Sequence, residues 1–119
     1  MDIEDIRTFC LNLKGTSESM PFDDTTIVFK VLSKMFCLEA IDSKRINLKA
    51  KPEKVIELIE THSSILPGYH MNKKHWVTIE VENFTDNQLL KQLITDSYQL
   101  VISKMTKKEK ETLAQLSTF

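Results

Sequence analysis

Three strand-length runs, 26–31, 34–40 and 44–50, are separated only by Leu32-Ser33 and by a turn at Asp42-Ser43. A parallel crossover needs a dozen or more residues, so connections this short can only reverse the chain. The centre of the sequence is therefore committed to an antiparallel meander. A weaker run at 17–20 precedes it, closed by Pro21, with Asp23-Asp24 as the turn.

Helical patterns flank the meander. Over 2–13, Ile3, Ile6, Phe9, Cys10 and Leu13 form one apolar stripe behind an Asp2 cap, and Gly15 follows as a stop. Lys51-Pro52-Glu53 opens a second helix reaching Thr61, with proline at the favoured first position. A strand pair comes next around the run from Pro67 to Trp76, its second member covering 75–81. Asp86 caps a long helix over 87–105, striped by Leu89, Leu90, Leu93, Ile94, Ser97, Leu100 and Val101. Thr106 and Glu109 form a capping box for a last helix ending near Leu116. Strands grouped between helices predict a single α+β domain over 1–119, a two-layer sandwich with an antiparallel sheet and helices on one face.

Alternation assigns the faces. Ile27, Phe29 and Val31 share one side, as do Ile46, Leu48 and Ala50, and Val77, Ile79 and Val81. The opposite side receives Lys30, Asn47, Lys49, Lys51, Trp76, Thr78 and Glu80. Tryptophan on the polar side admits two arrangements: a loop or bulge folds over Trp76, or Trp76 stays partly exposed and stacks on a ligand. The third strand is apolar on both sides, with Met35, Cys37 and Glu39 opposing Phe36, Leu38 and Ala40. It reads as a central strand with something over its outer face.

Bulk charge limits the partners. A net charge of -1 argues against tight, non-specific affinity for nucleic acid. Locally, however, residues 30–74 carry nine Lys/Arg against five Asp/Glu. Cys10 and Cys37 lie in apolar surroundings and read as buried, reduced thiols rather than nucleophiles. His70 and His75 lack ligand spacing with any cysteine or acid, and two glycines cannot build a phosphate-binding loop. No enzyme, metal or cofactor is expected. No apolar run approaches the ~20 residues of a membrane span, and the expected setting is a cytoplasmic monomer.

At Phe29-Lys30-Val31, Lys34-Met35-Phe36-Cys37-Leu38, Leu48-Lys49 and the stretch from Pro67 to Trp76, the sequence resembles the YjbR/MmcQ family of small bacterial proteins. The resemblance spans about 5–116 and includes Met20-Pro21-Phe22; Tyr69-His70-Met71-Asn72-Lys73-Lys74-His75-Trp76 is its most specific block. It implies a CyaY-like (frataxin-like) fold and a DNA-binding role through a double-wing surface. Carried over residue by residue, it marks Lys30, Lys34, His70, Asn72, Lys73, Lys74, His75 and Trp76 as that surface. Leu32-Ser33 stands where relatives often carry small glycines, which implies a less tight wing tip. Iron binding is not carried over, because the acidic ridge here is only Asp2, Glu4 and Asp5.

The expected function is a non-catalytic DNA-binding module. The alternative is a protein-interaction or small-ligand module on the same face, using the patch near Met35, Cys37 and Trp76.

Overall fold

The computed structural model describes residues 1–69 and 71–116. Helix α1 (Ile3–Leu11) leads into strands β1 (Thr16–Ser19), β2 (Thr26–Val31), β3 (Lys34–Ala40) and β4 (Arg45–Lys49). Helix α2 (Pro52–Thr61), strands β5 (Ile65–Pro67) and β6 (Trp76–Glu80), and helices α3 (Asn87–Ser103) and α4 (Lys107–Gln115) complete the chain. The six strands form one antiparallel sheet in the order β1-β2-β3-β4-β6-β5. The fold is α+β. Boundaries differ from the sequence pattern by one or two residues, as frayed ends do. The strand pair resolves into β6 and the very short edge strand β5.

The caps expected from the sequence are made. Asp2 and Asp5 form a reciprocal capping box, as do Thr106 and Glu109, and the Asp86 side chain accepts the Leu89 N–H. Each satisfies N–H groups that the helix itself leaves open. Gly15 adopts φ +75 where α4 crosses it; a Cβ there would lie 2.5 Å from Leu113 Cδ1.

The helix-facing side of the sheet follows alternation on β2, β4 and β6. Phe29, Val31, Ile46, Leu48, Val77 and Ile79 are buried with Ile6, Leu90 and Ile94 of the helices. On β3 simple alternation fails. Phe29 pairs with Cys37 but Lys30 pairs with Met35, so Phe36 is an extra residue in β3. This bulge turns both Phe36 and Cys37 toward the helices, where Phe36 meets the Tyr98 ring edge-on at 5.4 Å. Met35 and Leu38 are left on the outer side. Cys37 therefore does not share a face with Met35, and the proposed Met35–Cys37–Trp76 patch does not form. Both cysteines are free and buried.

Helix α3 repairs the bulge. The Ser97 hydroxyl donates to Phe36 O at 2.6 Å and accepts from Lys49 N at 2.8 Å, bridging β3 and β4 beyond the last ladder pair, Cys37 with Leu48. The β2–β3 connection is still a two-residue turn, because Leu32 takes φ 55 and Val31 pairs with Lys34. The tight tip is thus kept without glycine. Leu32 N donates to Gly15 O and its side chain packs on the core, contacts that offset the cost of a left-handed leucine.

Candidate nucleic-acid interface

On the outer side of the sheet a second, smaller cluster forms. Val28, Leu38 and Trp76 are buried there, with Met35 and Met71 packed against them. The cover is the β5–β6 loop, which folds back over the strands it joins. Gly68 N donates to Trp76 O at 3.1 Å. A Cβ on Gly68 would sit 2.9 Å from Trp76 Cβ and 3.0 Å from Trp76 O, so glycine is what permits the approach. At the far end Asn72 O accepts the N–H groups of His75 and Trp76, and Asn72 Oδ1 accepts Lys74 N at 2.9 Å. Between these anchors Tyr69 N donates to Thr78 Oγ1 at 2.8 Å, and the Thr78 hydroxyl donates to Asn47 Oδ1. The Arg45 guanidinium, paired with Glu80 at 3.2 Å, lies 5.8 Å from the Tyr69 ring centroid.

Strand direction then sorts the charges. The β2–β3 turn, the end of β4 and the β5–β6 loop all lie at one end of the sheet, as Lys49 paired with Trp76 and Val31 paired with Lys34 require. That end carries Lys30, Lys34, Lys49, Lys51, Lys73 and Lys74. The opposite end carries the β1–β2 loop and the β3–β4 turn, joined by Ile41 N donating to Thr25 O. Asp23, Asp24, Asp42, Glu80 and Glu82 are found there, together with Lys44 and Arg45, which are paired to Glu82 and Glu80. The N–H of Thr25, with further bonds from Thr26, holds the Asp23 carboxyl below the usual carboxylate range, so this end stays anionic. Lys30 and Lys49 stand two strands apart on the outer side, about 10 Å from backbone to backbone. Among the described residues Lys30, Lys49, Lys51 and Lys74 make no ion pair.

Comparison with known proteins assigns the family. The YjbR family model matches residues 11–100. The chain belongs to the YjbR family. It is 36% identical to the uncharacterized protein YbdF of Escherichia coli O157:H7, covering 91% of this chain and 90% of that protein. It is 26% identical to the uncharacterized protein YjbR of Escherichia coli K12, covering 98% of this chain and all of that protein. The crystal structure of Deinococcus radiodurans protein DR2400, with a DUF419 domain, superposes with a TM-score of 0.88 at 44% identity, covering 95% of this chain and 88% of that one.

Within this YjbR-family fold the marked residues separate into roles. Trp76 is 7% exposed. It is a pillar under the loop and presents no ring for stacking; of the two arrangements, the covered one holds. Asn72 spends its side-chain oxygen on the loop, and the Lys73 ammonium donates to Gly68 O at 3.2 Å. His75 is half-buried, its carbonyl accepting Ala50 N. His70 lies outside the described residues. Lys34 leaves the group on the outer face: it pairs with the inward Val31, and its charge helps lower the Glu109 carboxyl of α4, whose main cause is the Thr106 N–H. Lys30 and Lys74, with the unmarked Lys49 and Lys51, remain as available cations. Alternation along β4 already places Lys49 on the polar side of the sheet. Among the described residues no three His, Cys, Asp or Glu side chains form a metal-holding group. No helix among them is long and apolar enough to cross a membrane.

Proposed function

We propose that this protein is a non-catalytic DNA-binding module whose contact surface is the lysine-bearing end of the outer sheet face and its β5–β6 loop. The observation that supports the reading is the segregation of charge along the strands. Lys30, Lys49, Lys51, Lys73 and Lys74 gather at one end although the whole chain is slightly acidic. Lysine heads on a rigid sheet neutralise phosphates, and binding of that kind is electrostatic and steeply salt-dependent. The buried Trp76 sets the loop height rather than stacking on bases. Two buried free thiols suit a reducing cytoplasm, where a monomer of this kind would meet DNA.

Titrating labelled duplex and single-stranded DNA at low salt tests the reading. Binding in the micromolar range is expected, weakened strongly by Lys30→Glu with Lys74→Glu and by raised salt. Absence of binding at tens of micromolar protein, or indifference to the double substitution, rules it out.

One observation favours a second reading, a small-ligand or protein-interaction module. A groove of about 510 Å³ opens between α2 and α3, floored by Leu48, Leu58, Val77 and Leu93 and edged by Lys51 and Asp96. It lies on the helix side, with Lys51 of the lysine-bearing end standing at its rim. Co-purification of a discrete partner without salt-sensitive nucleic acid would favour it.

A further inference from the structure

Glu39 is an acid in the middle of the core. It projects from β3 toward the helices, between Ile27 of β2 and Ile46 of β4 in register, and it is 0% exposed. Neither of its carboxylate oxygens has a hydrogen-bond partner among the described residues. Buried polar groups are nearly always paired, so an orphaned carboxyl asks for an explanation. The charged groups near it are Asp2, Glu4 and Arg7 from α1 and Glu18 from β1; Cys37 lies on its own strand and Cys10 beside that thiol. Three of these neighbours are acids and one is a cation.

That cation is already engaged. Arg7 Nε and Nη2 donate to Glu18 Oε2 and Oε1 at 2.7 and 2.6 Å, and Nη1 donates to Glu4 Oε1 at 2.9 Å. The Arg7–Glu18 fork ties α1 to the four-residue edge strand β1. Burial, then the Glu4 charge, pushes the Glu39 carboxyl up to about 7, so it is neutral in mildly acid solution and charged in mildly alkaline solution.

We propose that Glu39 is a proton-operated latch on the α1–β1 edge of the sheet. Neutral Glu39 lies dry under α1 and leaves Arg7 forked on Glu18. Ionised Glu39 competes for the one nearby cation, draws Arg7 inward and releases Glu18, which loosens β1. The device is independent of what the outer face binds.

The sign follows from linkage. A carboxyl that titrates at 4.5 when unfolded and about 7 when folded gives its full stability below 4.5 and loses it as pH rises toward 7. Glu18, Asp23 and Glu109 are shifted the opposite way and act only below the ordinary carboxylate range, outside that window. Between pH 5 and 8 the folding constant of the wild type is therefore expected to fall on the order of a hundredfold relative to Glu39→Gln.

Nuclear magnetic resonance of the intact wild-type chain tests the latch without requiring the variant to fold. The Glu39 carboxyl carbon, the Arg7 Nε and the β1 amides should titrate together with a midpoint near 7. In Glu39→Gln the Arg7 and β1 signals should not move across that range. A Glu39 midpoint at or below 5, or a Glu39 titration that Arg7 and β1 do not follow, overturns the proposal.

Discussion

The two sides of the sheet are buried by different means. The inner side disappears under helices, and its apolar residues follow period two wherever the strand is regular. Among the described residues the outer side buries Val28, Leu38, Trp76 and Thr78, and Met71 of the loop leading into Trp76 packs against the apolar three. The inner core is thus a large construction with redundancy. The outer cluster is a small one whose loop cover hangs on Gly68, Asn72 and the Thr78 hydroxyl. A face sealed by its own hairpin keeps a solvated rim, and on this rim the lysines stand.

Truncations should rank the two faces. Phe29→Ala removes a fully buried inner side chain and is expected to cost about 4 kcal/mol, whereas Leu38→Ala in the smaller outer cluster should cost about 2 kcal/mol, read by chemical denaturation. Equal losses would mean the outer cluster is as deeply held as the core. Ser97→Ala leaves Phe36 O and Lys49 N without their partner at the bulge and should cost about 2 kcal/mol. A neutral result would show that water or a relaxed bulge replaces the hydroxyl.

The next change separates loop from sheet. Gly68→Ala pushes a methyl against Trp76 and should lift the loop at a cost of about 1–2 kcal/mol. The signature is a red-shifted emission from the single tryptophan, with the inner core unchanged in near-ultraviolet dichroism. Emission that stays blue would mean the loop is not what covers Trp76. The smallest effect belongs to Leu32→Asn. Relief of the left-handed backbone, about 1 kcal/mol, should nearly cancel the lost packing of a half-buried leucine. A loss beyond about 1.5 kcal/mol would show that packing alone sets that turn.

What could be read in advance was local or periodic. Asp2, Asp86 and the Thr106–Glu109 pair announced their helices because capping acts within one turn. The faces of β2, β4 and β6 followed from alternation. On β3 the pattern misled, because no glycine or proline flags the bulge at Phe36; its carbonyl is satisfied from α3, 61 residues away. Of the marked surface, Lys30 and Lys74 could be placed from alternation and loop position. Alternation along β3 misplaces Lys34, because the Phe36 bulge shifts its phase to the helix side, where it pairs with the inward Val31. The cover over Trp76 was visible only as an open choice, settled by the close approach of Gly68.

One titration bears most directly on the proposal that lysines, and not the tryptophan, meet DNA. Labelled duplex is titrated at low salt while its anisotropy and the intrinsic emission of Trp76 are followed together. The expected result is a rise in anisotropy that vanishes in Lys30→Glu with Lys49→Glu, with Trp76 emission unchanged in wavelength and intensity. A flat anisotropy, or quenching of Trp76 in step with binding, would contradict it.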